Sequence, residues 1–372
     1  MASGGEREGA GSDGTRAVRP GEELDVVPLD RWLRACLPAL AGAPPRLPAV
    51  TQYTGGASNW TYRVCYAPAD GAEAVDLVLR RPPAGTKAKS AHDMGREHGI
   101  QQALRPLFPY VPRMVGLCED ESVLGAPFYV MERVAGLIPR RELPREVEWT
   151  PERTRALCLA MVDRLRELHG VDVAAAGLTA LDRGAGYARR QVEGWSERYE
   201  RARTWNVPRF RRVRAWLRER VPADGPHCVI HNDYRFDNLV LDARQPERIV
   251  AVLDWEMATV GDGLMDLGAA LAYWVEAGDD ALARRVRRQP THAPGMLTRR
   301  EVVERYLDGR AIAESEWAFY EVYGLFRVAV IAQQIYYRYH HRQTRNPAFR
   351  NFWVLVRYFH RRCRRAMRAA GS

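Results

Sequence analysis

The segment that decides the fold is residues 228–268, CVIHNDYRFDNLVLDARQPERIVAVLDWEMATVGDGLMDLG. Short apolar runs at 228–230, 239–241 and 249–253 predict three strands. The polar residues 242–248, which include a proline, predict a turn between the last two strands. The segment therefore predicts one strand, a loop, and then a hairpin with a polar residue at each open end.

Polar side chains stand at the ends of these strands. Asp233 and Asn238 lie in the loop between the first two strands, and Asp254 follows the third. The hairpin would hold Asn238 at the start of one strand and Asp254 at the end of the next, so that their oxygens can meet at one hard cation. Mg²⁺ prefers a few protein oxygens together with substrate phosphates. Asp233 would then accept the proton of an attacking hydroxyl.

Asp and Asn most often mark turns, and this remains the alternative for each of these residues alone. The combined pattern is more specific, with His-x-Asp-x-x-x-x-Asn at 231–238 and Asp-Trp-Glu at 254–256. It resembles the catalytic and metal-binding segments of the aminoglycoside phosphotransferase and choline kinase family, which is related to the protein kinases. The resemblance implies Asp233 as the catalytic base, Asn238 and Asp254 as magnesium ligands, and ATP as the phosphoryl donor.

A small-residue turn precedes this segment in the chain. It contains Gly55, Gly56, Ser58 and Asn59 and lies between two strand-like runs. Glycines allow backbone amides to approach a phosphate closely, and the serine adds a hydroxyl donor. A hairpin turn without a ligand is the alternative. The turn resembles the loop that covers the nucleotide phosphates in the same kinase family.

A candidate phosphate-binding ion pair follows the turn. Arg80 ends a strand predicted over 74–80, where most kinase-like folds place a lysine that pairs with a helix glutamate. Glu97, in a helix predicted from a Ser90 cap to about Leu104, is its natural partner. Arginine also binds phosphate, with a different reach from lysine. The alternative is a solvent-exposed arginine at a strand end.

Two strands are predicted over 114–119 and 127–134, joined by an acidic turn. In the resembling family the second of these strands runs into the hinge that offers backbone groups to adenine. The corresponding residues are Met131, Glu132, Arg133 and Val134. A role in the sheet alone is the alternative, and the two roles are compatible because hinge contacts use the backbone.

The resemblance implies an α+β, bilobal protein-kinase-like fold with ATP between the lobes. Residues 1–22, poor in large apolar side chains, are predicted to be a disordered tail. Residues 23–134 form the smaller lobe, with an antiparallel sheet and a helix, and residues 135–372 form the larger, mainly helical lobe. Asp266 is expected to hydrogen-bond the catalytic loop backbone, and a helix over 314–341 is expected to form one wall of the acceptor pocket.

Composition limits the class of protein. The net charge of +10 comes almost entirely from arginine, and the six cysteines are scattered without a Cys-x-x-Cys pair, which favours reduced thiols. No signal peptide and no membrane-spanning run is predicted, so we expect a soluble, cytoplasmic protein. Aromatic residues alternate with arginines over 185–220, but no nucleic-acid-binding motif accompanies them, and we predict no nucleic-acid partner.

The predicted function is ATP-dependent transfer of the γ-phosphoryl group to a hydroxyl of a small metabolite. Segments such as LVLRRPP, LGAPFYVMERVAG and HNDYRFDNL are similar to the branch of the family whose kinase domains are associated with acyl-CoA dehydrogenases. That branch implies a hydroxyacyl-CoA or a related hydroxylated metabolite as the acceptor. An aminoglycoside or other antibiotic kinase, a nucleotide-binding pseudokinase and a nucleic-acid-binding protein are the alternatives. The oligomeric state is left open.

Overall fold

The structure is a computed structural model that describes residues 14–40, 46–54, 59–67, 74–83 and 93–371. The chain divides into two compact units. The first comprises the residues up to Ala135 together with Ala251–Met257, and the second comprises Gly136–Val250 and the residues from Ala258 onward. The segment that carries the Asp-Trp-Glu sequence therefore belongs to the first unit, although it follows residues 231–238 of the second unit in the chain.

The first unit is built on a six-stranded antiparallel sheet. Its strands lie in the order β1-β2-β3-β4-β6-β5. Alternate residues of the third strand, Tyr62, Val64 and Tyr66, are buried on one face, as the period of two of a strand requires. The strands are β1 (Thr15–Arg16), β2 (Ala49–Tyr53), β3 (Trp60–Tyr66), β4 (Val75–Arg81), β5 (Met114–Cys118) and β6 (Phe128–Glu132).

Three helices accompany this sheet: α1 (Val26–Cys36), α2 (Met94–Leu104) and α3 (Glu121–Leu124). Leu29 and Leu33 of α1 are fully buried and join the apolar core against the sheet. The helix α2 is capped by Asp93, whose side chain accepts a hydrogen bond from the Arg96 amide at 2.9 Å. Ser90, the cap predicted from the sequence, lies outside the described residues.

The structure adds detail to two further sequence expectations for this unit. The acidic turn predicted between β5 and β6 contains the short helix α3, which is capped by the Asp120 side chain. The predicted disordered tail reaches Glu22, but Thr15 and Arg16 pair with Tyr53 and Gln52 as an edge strand. A two-residue strand is held by backbone hydrogen bonds, which composition does not reveal.

The second unit is mainly helical within the described residues. Its helices are α4 (Pro151–His169), α5 (Tyr187–Ala202), α6 (Arg211–Glu219), α7 (Gly263–Leu271), α8 (Ala281–Val286), α9 (Arg299–Leu307), α10 (Glu314–His340) and α11 (Phe352–Ala369). No helix in the described part of the chain is long and apolar enough to cross a membrane.

Four short strands frame the central segment of the sequence: β7 (Cys228–Ile230), β8 (Leu239–Leu241), β9 (Ile249–Val252) and β10 (Thr259–Gly261). The first three confirm the strands predicted from the apolar runs. β8 and β9 form one two-stranded sheet, and β7 pairs antiparallel with β10. Ile230 lies opposite Thr259. The loop at 231–238 therefore leaves a strand end that β10 holds in place.

The longest helix, α10, is packed against α7 at backbone contact. A Cβ atom added to Gly324 would lie 2.1 Å from the carbonyl oxygen of Gly268, and one added to Gly268 would lie 2.5 Å from the carbonyl oxygen of Tyr320. Only glycines permit so close an approach of two helices. This crossing brings residues of α10 and the first turn of α7 to the same loop.

Candidate functional site

The loop 231–238, which we call the catalytic loop, is held by its own polar side chains. The side-chain nitrogen of Asn238, Nδ2, donates to the backbone oxygen of Asp233 at 2.9 Å and to the Asp233 Oδ2 atom at 3.3 Å. The Phe236 amide donates to Oε1 of Gln289 at 2.9 Å. The structure thus brings together Asp233 and Asn238, as the sequence predicts, and directs the Asp233 carboxylate with a hydrogen bond.

Asp266, in the first turn of α7, anchors the start of this loop. Its two carboxylate oxygens accept hydrogen bonds from the amides of His231 and Asn232, each at 2.8 Å. Asp266 is almost fully buried. Burial alone would raise the pKa of this carboxyl group, but the hydrogen bond from His169 and the charges and amides around it outweigh burial, and the pKa is lowered. The expected contact of Asp266 with the loop backbone is confirmed.

Behind Asp266 lies a polar chain that sequence reasoning did not find. His169, the last residue of α4, places Nε2 3.2 Å from Asp266 Oδ2 and Nδ1 2.7 Å from the Tyr306 hydroxyl. Neither His169 nor Tyr306 stands in a sequence motif that would mark it. A hydrogen-bonded chain thus connects α9, α4 and α7 to the catalytic loop.

A cation lies beside Asp233. Arg235 places Nη2 3.0 Å from Asp233 Oδ2 and Nε 3.4 Å from Asp237 Oδ1. Its guanidinium lies over the ring of Tyr273, 4.9 Å from the ring centre. Burial raises the pKa of Asp237, against the opposing effect of Arg235. Arg235 was not singled out in the sequence, because an arginine in an arginine-rich chain carries little information.

Two polar side chains of α10 are buried and donate hydrogen bonds to backbone carbonyl oxygens. Arg327 is buried and donates through Nη2 to the Asn232 carbonyl oxygen at 2.6 Å. Gln333 is fully buried and donates to the Ala202 carbonyl oxygen at 2.6 Å. Their contacts are with backbone groups of the unit itself. The expectation that α10 contributes an acceptor wall receives no support from these two side chains.

The first unit holds a buried arginine among three carboxylates. Arg80 Nη1 lies 3.0 Å from Glu97 Oε1 and 2.9 Å from Asp254 Oδ1, and Nη2 lies 3.3 Å from Glu256 Oε2. The Arg80–Glu97 contact expected from the sequence is confirmed, and the alternative of an exposed strand-end arginine is wrong, since Arg80 is only 7% exposed. Burial opposes the charge of Arg80, but the three carboxylates together raise its pKa.

Asn59, the last residue of the predicted phosphate loop, contacts the same carboxylate cluster through Glu256. Asn59 is buried and donates through Nδ2 to Glu256 Oε2 at 3.0 Å, and Arg96 Nη1 donates to the Glu256 backbone oxygen at 3.2 Å. Asp254 has a positive φ of 66°, a left-handed conformation that is uncommon outside glycine. The other predicted phosphate-loop residues, Gly55, Gly56 and Ser58, lie outside the described residues.

Of the predicted hinge residues, Met131 and Glu132 lie in β6, and Arg133 and Val134 lie beyond its end. The Glu132 amide donates to the Arg113 carbonyl at 2.9 Å, and the Arg133 amide donates to the Asp76 carbonyl at 3.1 Å. Met131 is buried within β6. Val134 lies beyond the end of β6 and makes no backbone hydrogen bond within the described part of the chain. Val134 therefore retains both its amide and its carbonyl for a ligand within the described part of the chain.

Each of the two predicted magnesium ligands offers, within its own unit, an oxygen donor of the type that a hard cation prefers. Asn238 directs its amide nitrogen to Asp233, which leaves its amide oxygen for another partner. Asp254 supplies a partly exposed carboxylate. Among the described residues no group of three or more His, Cys, Asp or Glu side chains is arranged to hold a metal ion. Amide and carboxylate oxygens in small number suit Mg²⁺ that is also bound to phosphates.

A six-stranded antiparallel sheet with a buried Arg–Glu pair, together with a helical unit whose loop carries Asp233 and Asn238, defines a phosphotransferase of the protein-kinase-like class. The chain belongs to the phosphotransferase enzyme family, whose model matches residues 49–302. The fold and the family resemblance predicted from the sequence are thereby confirmed.

Similar proteins agree with this assignment. The chain is 34% identical over 330 residues to acyl-CoA dehydrogenase family member 10 of Mus musculus, covering 88% of this chain and 30% of that protein. It is 37% identical over 262 residues to acyl-CoA dehydrogenase family member 11 of Gallus gallus, and the match covers 70% of this chain and 32% of that protein. The chain thus spans about a third of the length of these relatives.

Among solved structures, the chain is similar to a "putative aminoglycoside phosphotransferase" from Ralstonia eutropha. The TM-score is 0.77 at 28% sequence identity, and the match covers 94% of this chain and all of the other. The agreement over nearly the whole chain supports the kinase-like fold of both units.

Proposed function

We propose that this protein transfers the γ-phosphoryl group of ATP to a hydroxyl group of a small metabolite. The observation that carries the proposal is the catalytic loop, in which Asp233 is hydrogen-bonded by Asn238 while Asp266 holds the two residues before it. A fixed carboxylate of this kind orients an attacking hydroxyl and accepts its proton. Positioning and charge neutralisation account for most of the catalysis of phosphoryl transfer.

The proposal gives each remaining residue a task. Arg80, steadied by Glu97, binds nucleotide phosphate, and Asn238 and Asp254 contribute oxygen ligands to Mg²⁺. When bound, Mg²⁺ would neutralise charge on the phosphates. The phosphate-loop residues Gly55, Gly56, Ser58 and Asn59 and the hinge residues Met131, Glu132 and Val134 are assigned to ATP by the family resemblance. Arg80 is suited to the task because its planar guanidinium can contact a carboxylate and a phosphate at once.

We propose further that the acceptor is anionic, with a hydroxyacyl-CoA as the candidate. Arg235 lies beside the proposed base, but it is paired with two carboxylates, at 3.0 Å from Asp233 and 3.4 Å from Asp237, so this contact does not decide the charge of the acceptor. The names of the relatives, which are acyl-CoA dehydrogenase family members, support the same class of acceptor.

The test is magnesium-dependent ATP turnover with purified protein and two acceptor classes. We expect phosphorylation of a hydroxyacyl-CoA thioester, detected as a mass increase of the acceptor, to be faster than that of any aminoglycoside. Faster phosphorylation of an aminoglycoside would favour the antibiotic kinase alternative. ATP binding without turnover on any hydroxylated acceptor would favour the pseudokinase alternative.

Substitution of the proposed base should abolish turnover while ATP binding is retained. Asp233→Asn keeps the shape of the side chain but removes its capacity to accept a proton. General-base catalysis contributes roughly 10²- to 10⁴-fold, so we expect kcat to fall by that order with an unchanged Kd for ATP.

The control for this substitution is Asp308→Asn. Asp308 is exposed, ends α9 in a left-handed conformation that asparagine also adopts, and lies outside the proposed site. Its variant should retain the wild-type kcat. Near-normal turnover by Asp233→Asn would exclude Asp233 as the base.

A further inference from the structure

Asn232, the residue before the proposed base, has an uncommon conformation that its surroundings impose. Its φ is 65°, in the left-handed region, which is uncommon outside glycine and which asparagine adopts more often than most other residues. Neighbouring groups hold Asn232 in this conformation. The backbone direction at Asn232 decides where the chain continues, and therefore where the Asp233 side chain projects.

Three groups hold Asn232 from different sides. Asp266 Oδ1 accepts its amide hydrogen at 2.8 Å, and the Tyr187 hydroxyl forms a hydrogen bond with its side chain. Arg327, from α10, donates to its carbonyl oxygen at 2.6 Å. The amide and the carbonyl of one residue are therefore fixed by two charged side chains that come from different helices.

Burial of Arg327 removes its charged guanidinium from water, which opposes folding. Arg327 is 4% exposed, and within the described residues no carboxylate forms an ion pair with it. Its compensation consists of the Asn232 carbonyl and the ring of Trp195, whose centre lies 5.3 Å from the guanidinium carbon. A buried charge without an opposite charge destabilises a fold unless hydrogen bonds and dipoles replace its hydration.

We propose that Arg327 is a positioning residue for phosphoryl transfer, which fixes the Asn232 carbonyl so that the Asp233 carboxylate meets the acceptor hydroxyl in the reactive geometry. The inference rests on the proposed function, since it gives a catalytic consequence to a contact seen in the structure. Arg327 acts through the backbone of Asn232 and touches neither ATP nor acceptor. Its loss should slow the chemical step and leave substrate binding intact.

The test compares Arg327→Gln with Arg327→Lys by steady-state kinetics. Arg327→Gln removes the charged donor, and a misplacement of a catalytic group by about 1 Å can lower a rate by roughly 10²-fold. We expect kcat to fall by about that factor, with KM for ATP and for the acceptor within about twofold of wild type. Arg327→Lys restores a charged donor and should recover about tenfold of the lost kcat.

The matched control is Arg357→Gln on α11. Arg357 also donates through Nη2 to a backbone carbonyl, that of Asn206 at 2.9 Å, and its guanidinium carbon also lies 5.3 Å from the ring centre of a tryptophan, Trp353. It is exposed and contacts no residue of the catalytic loop in the described part of the chain. We expect its variant to keep the wild-type kcat.

A second readout does not depend on catalysis. Amide hydrogen exchange of the segment 231–234 should be faster in Arg327→Gln than in wild type and unchanged in Arg357→Gln, because the carbonyl restraint is lost only in the former. A wild-type protein without kinase activity would refute the proposed function, and the exchange measurement would still decide whether Arg327 restrains the loop.

Two kinetic outcomes would overturn the inference. A rise in the acceptor KM of tenfold or more with kcat near the wild-type value would show that Arg327 binds the acceptor. Wild-type kcat and wild-type exchange in Arg327→Gln would show that Asn232 is held without it. If Arg327→Gln does not fold, Arg327→Lys carries the test. The inference then expects the kcat of Arg327→Lys to lie about tenfold below wild type, with unchanged KM. Wild-type kcat and wild-type exchange in Arg327→Lys would assign Arg327 to stability alone.

Discussion

At the scale of single residues, the protein uses buried charges to fix backbone and side chains near the proposed chemistry. Arg80 lies among three carboxylates in the first unit, and Asp266 accepts two backbone amides in the second. Both carry charge where burial opposes it. Charge-assisted hydrogen bonds are shorter and stronger than neutral ones, and they define geometry as well as energy.

The lowered pKa of Asp266 predicts how stability depends on pH. Burial would raise this pKa, but the hydrogen bond and charge of His169 and the His231 amide favour the ionised form and lower it below the ordinary value of 3.8. A carboxyl group with a lower pKa in the folded state binds fewer protons than in the unfolded state. Its contribution to stability is therefore complete above about pH 4–5 and is lost as the pH falls through the folded-state pKa.

We expect Asp266→Asn to lower Tm most at neutral pH and to differ less from wild type as the pH falls below about 4. Thermal unfolding of both proteins between pH 3 and pH 7 measures this difference. A difference in Tm that is constant over the range, or that grows towards acid pH, would show that ionised Asp266 does not contribute in the way described.

At the scale of elements, the crossing of α7 and α10 determines which side chains reach the catalytic loop. Gly268 and Gly324 allow the two helices to touch at their backbones. Asp266 lies two residues before the first glycine and Arg327 three residues after the second. The two residues that hold the amide and the carbonyl of Asn232 are therefore both placed by this one crossing.

Substitution at the crossing should be strongly destabilising. A Cβ at position 324 would lie 2.1 Å from the Gly268 carbonyl oxygen, so Gly324→Ala forces the helices apart. Overpacking of a core costs about 1–3 kcal/mol or more. We expect a clear loss of unfolding free energy in urea, together with a lower kcat because Asp266 and Arg327 would shift.

The control in the same unit is Gly194→Ala. Gly194 lies within α5, where an added Cβ meets only the Arg198 side chain at 3.9 Å, an ordinary contact. Alanine is favoured over glycine inside a helix by about 1 kcal/mol, so this variant should be as stable as wild type or slightly more so. Equal stability of the two alanine variants would contradict the close crossing.

At the scale of the whole molecule, the two compact units do not follow the order of the chain. The first unit takes in Ala251–Met257, more than a hundred residues after its main segment ends at Ala135. Within that unit, the Val252 amide donates to the Tyr110 carbonyl at 2.8 Å, and the fully buried Trp255 packs edge-on against Phe108 with ring centres 6.1 Å apart. The returning segment therefore completes the first unit.

A fragment of residues 1–135 should accordingly be unstable by itself. It lacks Trp255, and it leaves Arg80 with Glu97 alone of its three carboxylates. We expect a fragment in which residues 249–259 are joined to it by a flexible linker to have a clearly higher Tm by circular dichroism. Trp255→Ala in the linked fragment should remove most of this gain, since loss of a buried tryptophan costs about 3–5 kcal/mol. Equal Tm values with and without the segment would refute the expectation.

The sequence predicted the elements of this protein well, because apolar periodicity reports local backbone geometry directly. The strands 228–230, 239–241 and 249–253 and the long helix from Glu314 agree with the structure to within one residue at their ends. The pairing of Arg80 with Glu97 and the contact of Asp266 with the loop were also anticipated, since the order of motifs in the chain indicated the family.

Only the tertiary structure decided which distant side chains serve the same loop. His169, Tyr306 and Arg327 are separated from the residues they contact by 97, 137 and 95 positions, respectively. None of them stands in a motif, and each fits the apolar spacing or basic composition of its helix. Their roles follow from helix crossings set by close contacts such as that of Gly268 with Gly324, which local sequence does not encode. The sequence thus determined the kind of chemistry, and the packing of its helices determined what holds the reactive groups in place.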